Sequence, residues 1–186
     1  MLRFIVHFGA CLPLVWLSYL VLSGEIGADP AERLVRELGF FGACSLWGSL
    51  SLTPLRLLTG VPQWVAYRRA LGLWAFAYIS LHLAAFISVW AGFDWGIVME
   101  EVTQRPYIYV GLLAWLLMVP LALTSTRAAR RRLGRRWGIL HKLVYLVAVL
   151  GLLHMVWIAK LDYLQVTLFF LALSLLFVVR WRLGRK

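Results

Sequence analysis

The sequence predicts an all-α membrane protein built as a bundle of six transmembrane helices. Of its 186 residues, 62% are hydrophobic and only 15% are charged, and the mean hydropathy is +0.82. Ordinary soluble domains are about 45–50% apolar and about 25% charged, so this apolar excess is too large for one soluble core. The apolar runs are continuous rather than alternating, which favours helices over the strands of a membrane barrel.

Six segments are long and apolar enough to cross a bilayer, which needs about 20 mostly apolar residues. We expect spans near residues 4–22, 39–58, 70–90, 107–125, 137–158 and 163–179. The first run is long for a signal peptide and no A-x-A cleavage site follows it, so we interpret it as an uncleaved span. The other segments are short, which predicts one transmembrane domain over residues 1–186. No internal repeat is evident.

The charged residues alternate sharply between the two sides of the predicted bundle. One side carries 15 of the 19 basic residues, with six arginines in the 127–136 loop alone. The other side carries four basic residues and all eight acids. The positive-inside rule therefore places both termini in the cytoplasm. The net charge of +11 is mostly this topology signal, so we exclude nucleic acid as a partner, although a basic face attracts anionic lipid.

Histidines are the ionisable candidates for a site inside the spans, because no carboxylate lies within any of them. His82 lies in the third span, and His141 and His154 lie in the fifth. A single intramembrane histidine is usually a hydrogen-bonded packing residue. Three in two helices, without a buried acid to pair with, favour a metal or haem site. His7, close to Arg3, is interpreted as an interfacial residue.

The depth of each histidine in the membrane follows from the number of residues between it and the arginines at the basic end of its span. His82 and His154 differ in depth by about 7 Å, and His82 and His141 by about 12 Å, at about 1.5 Å per residue. His82 and His154 are therefore the better pair for one haem, in the outer half of the membrane. His141 and His154 are about 220° out of phase on a regular helix, so they face different directions unless the helix is distorted, which Gly151 would permit.

Arginines at the basic edge are candidates for holding an anionic group. Arg68 lies 14 residues before His82 and about 40° from its face, near the depth of His141. It could hold a propionate or phosphate by bidentate hydrogen bonds, or it could be an ordinary positive-inside anchor. We include Arg69 and Arg136 in this candidate site for an inner haem, a flavin or a quinone.

The chain resembles the ferric-reductase-like transmembrane superfamily and, within it, the bacterial MsrQ (YedZ) family. The matching stretches are SLTPLRL (51–57), RRALGLWAFAYISLH (68–82), RPYIYVGLLAWLLMVPLALTS (105–125) and LGRRWGILHKLVYLVAVLGLLH (133–154). The resemblance covers spans two to five in order. It implies a haem b subunit of the bacterial inner membrane that passes electrons to a periplasmic molybdopterin enzyme reducing methionine sulfoxide in proteins. It also implies flavin mononucleotide (FMN) as a cofactor and a quinone as the electron donor, and a cytoplasmic flavin reductase is a further candidate partner.

The resemblance also bears on the ligands. Related oxidases offer two haem-ligating histidines from each of two helices, whereas this chain has Arg68 at the position 14 residues before His82. The pair His82 and His154 stays intact as haem ligands, and His141 is left for a second haem or a flavin site. The alternatives are a small transporter or proton channel, which would commonly use intramembrane carboxylates, and a structural anchor subunit. The expected role is electron transfer within an oxidoreductase system rather than self-contained catalysis.

Overall fold

The structure is a computed structural model that describes residues 2–159 and 163–183, and every regular element among these residues is helical. Besides the α-helices, the chain contains a short 3₁₀ helix over Pro62–Tyr67 and a single turn of π helix over Phe86–Trp90. The α-helices, in chain order, are α1 Leu2–Ser23, α2 Pro30–Thr59, α3 Arg68–Ala85, α4 Trp95–Gln104, α5 Pro106–Leu123, α6 Arg127–Leu133, α7 Arg135–Leu140, α8 Leu143–Ile158 and α9 Tyr163–Leu183.

Within residues 2–159 and 163–183, six helical segments are long and apolar enough to span a membrane, which confirms the predicted all-α class and the number of spans. They are Phe4–Ser23, Pro30–Thr59, Pro62–Trp90, Pro106–Leu123, Arg135–Ile158 and Tyr163–Leu183. The second segment begins nine residues before its predicted start. Pro30 is the first residue of α2, and the Asp29 carboxylate accepts the backbone N–H of Glu32 at 2.9 Å. Both features favour a helix start at that position.

The fifth span is interrupted at its basic end. Helix α7 ends at Leu140 and α8 begins at Leu143, so His141 and Lys142 lie in a turn between two helices. Gly151, which would permit a distortion between the two histidines, lies inside the uninterrupted α8. The phase difference calculated for His141 and His154 on one regular helix therefore does not apply, and the break is at His141 itself.

The chain divides into two compact units. The first comprises Met1–Leu52 with Pro62–Glu100, and the second comprises Thr53–Val61 with Glu101–Lys186. Four charged residues used in the topology argument, Lys160, Asp162, Arg185 and Lys186, lie outside the described residues.

In the first unit, α1 and α2 pack against α3. Tyr78 is 1% exposed, and its hydroxyl donates to the Ala10 carbonyl of α1 at 2.6 Å. Leu17, Leu38 and Ala85 are buried around it. Helices α2 and α3 approach closely at Gly42, where a Cβ atom would lie 2.5 Å from the Ile79 Cδ1 atom. A small residue is therefore required at position 42 for this packing.

In the second unit, α5 packs along α8 through small and medium side chains. Ala114 and Met118 of α5 and Val147 and Ala148 of α8 are buried. Helix α9 contacts α8 through Tyr145, whose ring lies 5.7 Å from that of Phe177. Each unit therefore contains a close pair of spans, α2 with α3 and α5 with α8, and one pair carries His82 while the other carries His154.

Candidate histidine site

The first element of the site is His82, on α3. Its Nδ1 atom lies 2.8 Å from the Val35 carbonyl oxygen of α2. A carbonyl only accepts hydrogen bonds, so Nδ1 carries the proton and the ring lone pair of the neutral imidazole is on Nε2. A backbone carbonyl that accepts Nδ1–H is the usual arrangement that orients a metal-binding histidine.

The ring of His82 lies directly against the backbone of α2. A Cβ atom built on Gly39, one turn after Val35, would lie 3.0 Å from Nδ1 and 3.2 Å from Cε1 of His82. Real Cβ contacts are rarely this close, so Gly39 creates the space that the imidazole fills. The hydrogen bond and the glycine together fix the position and orientation of the ring.

His154, on α8, has the same surroundings in the second unit. Its Nδ1 atom lies 2.7 Å from the Tyr107 carbonyl oxygen of α5. A Cβ atom on Gly111 would lie 2.8 Å from Nδ1 and 2.9 Å from Cε1 of this ring. The tautomer argument is the same as for His82, so the lone pair of His154 is also on Nε2.

The Tyr107 side chain contacts His154 through its ring and Arg105 through its hydroxyl. Its ring lies edge-on to His154, with centroids 5.9 Å apart, and its hydroxyl accepts a hydrogen bond from Arg105 at 2.9 Å. Arg105 also pairs with Glu101 at 2.7 Å. The hydrogen bond to Tyr107 raises the pKa of the Arg105 guanidinium, which therefore stays charged. These contacts anchor the start of α5, where the Tyr107 carbonyl accepts the hydrogen bond from His154.

These two arrangements reveal an internal repeat that the sequence reading missed. Tyr107, Gly111 and His154 each lie 72 residues after Val35, Gly39 and His82, and both hydrogen bonds join residues 47 apart. The expectation of no internal repeat is therefore wrong. Few residues are identical between the two halves, because most side chains of the spans need only be apolar. The sequence nevertheless contains a glycine followed 43 residues later by a histidine twice, and this spacing was the signal of the repeat.

His141 has different surroundings. Its ring stacks on Trp137, with centroids 4.0 Å apart and planes at 25°, and its Nε2 atom lies 3.0 Å from the Thr124 hydroxyl oxygen. That hydroxyl donates to the Pro120 carbonyl at 2.6 Å. It therefore accepts the His141 Nε2–H, since a hydroxyl has one proton. Trp137 donates from Nε1 to the Thr124 carbonyl at 3.0 Å, so three residues hold one another.

The predicted arginine site is divided between the units. Arg68 begins α3 and is partly buried, and its carbonyl accepts a hydrogen bond from the Ser49 hydroxyl at 2.9 Å. Arg69 and Arg136 are exposed. Arg68, Arg69 and His82 belong to the first unit, whereas Arg136, His141 and His154 belong to the second.

His7 provides a contrast within the same chain. Its Nδ1 atom accepts a hydrogen bond from the Trp74 Nε1–H at 3.0 Å, and its side chain is exposed. Nδ1 is therefore the acceptor, the opposite of its role in His82 and His154. This contact makes His7 a hydrogen-bonded packing residue of the first unit, and its position at the membrane interface stays a prediction.

The donor set can be tested against a haem group. His82 and His154 each offer one imidazole nitrogen on a ring that is held by a carbonyl and lies against a glycine. A single axial nitrogen suits an iron whose equatorial ligands come from a macrocycle. His82 and His154 therefore fit haem ligation by their chemistry and their fixed orientation.

Comparisons with known proteins assign the family. Residues 34–152 match the model of the ferric reductase like transmembrane component. The chain is also 47% identical over 175 residues to the protein-methionine-sulfoxide reductase heme-binding subunit MsrQ of Rhodospirillum rubrum, covering 93% of this chain and 84% of that protein. The chain belongs to the MsrQ family. As an MsrQ-family protein with six apolar helices, it is a multi-pass membrane protein. No solved structure matches it.

Proposed function

We propose that this MsrQ-family chain is the haem-binding, electron-transferring membrane subunit of a methionine sulfoxide reductase system. The observation that carries the proposal is the matched setting of His82 and His154, each with Nδ1 bonded to a carbonyl and its ring against a glycine. The family assignment and the name of the Rhodospirillum rubrum relative support it.

In this proposal, His82 and His154 would hold the iron of one b-type haem. Their similar depth in the sequence, about 7 Å apart before tilt is considered, supports the pairing. A bound b-type haem supplies a reversible one-electron iron couple. The protein's part is to hold each Nε2 in a fixed direction and to surround it with apolar side chains, which limits the reorganisation that accompanies a change of charge.

The second part of the proposal is an inner cofactor bordered by His141. Arg68, Arg69 and Arg136 are proposed to neutralise its anionic groups, whether the propionates of a second haem or the phosphate of FMN. The support is the shared depth of Arg68 and His141 in the sequence and the fixed ring of His141 between Trp137 and Thr124.

The proposed path of electrons runs from the basic side to the acidic side. Quinone or a flavin on the cytoplasmic side supplies the electrons, and a periplasmic molybdopterin methionine sulfoxide reductase subunit receives them. The whole chain acts as one transmembrane domain in the bacterial inner membrane, with both termini in the cytoplasm. The arginines of the 127–136 loop and the positive-inside rule support this orientation.

The test is the absorption spectrum of the purified protein and of two variants. The wild-type protein should show a Soret band and reduced b-type bands. His82→Ala and His154→Ala should each lose most of the outer haem, whereas His7→Ala, the matched histidine control, should retain it. A colourless wild-type protein would favour a structural anchor subunit, and normal spectra in both ligand variants would refute the assignment.

A further inference from the structure

The internal repeat extends beyond the histidine, the glycine and the carbonyl residue. Asp29 and Arg33 lie 72 residues before Glu101 and Arg105, so each unit has an acid and an arginine four residues apart. In each unit the arginine comes two residues before the residue whose carbonyl accepts the hydrogen bond from the histidine. The two arginines nevertheless make different contacts.

In the second unit, Arg105 uses two of its nitrogens at once. Its Nε atom pairs with Glu101 at 2.7 Å, and its Nη1 atom donates to the Tyr107 hydroxyl at 2.9 Å. A planar guanidinium holds both partners in one fixed geometry, which the single ammonium of a lysine does not reproduce. The Tyr107 ring is thereby fixed beside His154, with the two ring centroids 5.9 Å apart.

The carbonyl that accepts the hydrogen bond from His154 lies in the first turn of a helix. Tyr107 is the second residue of α5, and Arg105 is its N-cap residue. An arginine side chain has no acceptor for the free N–H groups of this turn, so it cannot cap the helix in the usual way. Helix ends fray more readily than helix interiors. The contacts of Arg105 with Glu101 and Tyr107 therefore hold the turn that presents this carbonyl.

In the first unit, the corresponding arginine has a different role. Val35 is the sixth residue of α2, so its carbonyl lies inside the helix rather than in the first turn. The side chain of Val35 has no polar atom, and Arg33 donates to the Ile26 carbonyl at 2.8 Å, in the loop before α2. The ring of His82 is therefore positioned by a helix interior, whereas the ring of His154 depends on side-chain contacts at a helix end.

We propose that Arg105 is a positioning residue for His154, because it fixes Tyr107 and thereby the hydrogen bond that the Tyr107 carbonyl accepts from the imidazole. This inference rests on the proposed function, in which His154 would hold the haem iron. A carbonyl that accepts Nδ1–H raises the basicity of the ligand nitrogen, and a more basic ligand favours the ferric form of the iron. Loss of the Arg105 contacts should therefore loosen the haem and raise its reduction potential.

The experiment compares the same charge-conserving change at the two repeat-related arginines. Arg105→Lys keeps the positive charge but loses the planar fork, and Arg33→Lys is the matched control in the first unit. Tyr107→Phe removes only the hydroxyl that Arg105 holds and leaves the ring and the backbone carbonyl in place. The haem that is measured is the one absent from His154→Ala, so that any other haem does not enter the comparison.

Three measurements on the purified protein with its haem report the position of the ligand. Arg105→Lys and Tyr107→Phe should each shift the equilibrium constant for reduction by about threefold to tenfold toward the ferrous form. This shift is a rise in midpoint potential of about 28–59 mV for a one-electron couple. The electron paramagnetic resonance signal of the ferric haem should change, since it depends on the orientation of the axial ring. Transfer of the haem to excess apomyoglobin should be about tenfold faster.

Arg33→Lys should match the wild type in all three measurements. The double variant Arg105→Lys, Tyr107→Phe should shift the potential no further than either single variant, because both changes remove the same contact. Unshifted potentials and unchanged spectra in both single variants would overturn the proposal, as would full additivity or an equal shift in Arg33→Lys. A wild-type protein without haem is a separate outcome, which would contradict the proposed function and this assignment with it.

Discussion

At the scale of residues, three histidines of the site differ in which ring nitrogen the protein holds. In His82 and His154 the protein holds Nδ1, whereas in His141 it holds Nε2 through Thr124. The first two rings are therefore set to present Nε2, and the third is set by a side-chain hydroxyl and a stacked indole. Spacing along the sequence indicates the depth of each histidine in the membrane. It does not show which ring nitrogen makes the hydrogen bond, because the hydrogen-bond partner is 47 or 17 residues away in the sequence.

The glycines beside the outer histidines give the first prediction. Gly111→Ala would place a Cβ 2.8 Å from the His154 ring, and Gly39→Ala would place one 3.0 Å from the His82 ring. Each should displace its imidazole and lower haem occupancy, at a cost of about 1–3 kcal/mol for overpacking, with the larger effect at Gly111. The measurement is haem content and the reduced spectrum of each purified variant.

Gly151→Ala is the control for that prediction. Gly151 lies on α8, three residues before His154, and a Cβ there would meet nothing within 4 Å. This change should leave the spectrum intact and favour the helix slightly, by about 1 kcal/mol at most. If Gly111→Ala were as well tolerated as Gly151→Ala, the glycine would not be needed for the ring's position.

The second prediction concerns Thr124. Thr124→Val keeps the side-chain shape but removes the hydroxyl, so His141 Nε2 loses its partner, at a cost of about 1 kcal/mol. Thr124→Ser keeps the hydroxyl and should behave like the wild type. The expected result is a change in the potential or spectrum of the proposed inner cofactor in Thr124→Val, with the signals of the proposed outer haem unchanged. Identical titrations for the Val and Ser variants would show that the hydroxyl does not position His141.

At the scale of elements, the sequence was sufficient for the number of membrane-spanning segments and their helical type, because their apolar runs are long and uninterrupted by charge. It was not sufficient for the break at His141 or the early start of α2. Residues 135–158 are apolar enough to be read as one helix, and hydropathy does not detect the contacts that His141 makes at the break with Thr124 and Trp137. Helix ends depend on a few local hydrogen bonds, such as that of Asp29, which hydropathy does not detect.

The packing of α2 on α3 gives the third prediction. Gly42→Ala would bring a Cβ within 2.5 Å of Ile79 Cδ1 and 2.9 Å of its Cγ1. This should destabilise the pair by about 1–3 kcal/mol. Ile79→Ala alone should also destabilise it, by about 2–5 kcal/mol, since it leaves a cavity. The double variant should lose less than the sum, because the new methyl group enters the space that Ile79 vacates.

Unfolding of the single and double variants, followed by helical circular dichroism in mixed detergent micelles, measures this coupling. Gly138→Ala serves as the control, since its Cβ would meet nothing within 4 Å. Strict additivity of the two single changes would mean that positions 42 and 79 do not share space in the folded protein.

At the scale of the whole molecule, the asymmetric charge gives the last prediction, the direction of insertion. The segment 127–136, which folds into α6 and the start of α7, carries six exposed arginines, whereas α4 carries Glu100 and Glu101. Positive loops are retained in the cytoplasm, so Arg131 should be cytoplasmic and Glu100 periplasmic. In a Cys11→Ser, Cys44→Ser background, Glu100→Cys should react with an impermeant maleimide in intact spheroplasts. Arg131→Cys should react only after permeabilisation. The reverse pattern would place the acidic face in the cytoplasm, away from a periplasmic reductase, and the proposed direction of electron flow would then be wrong.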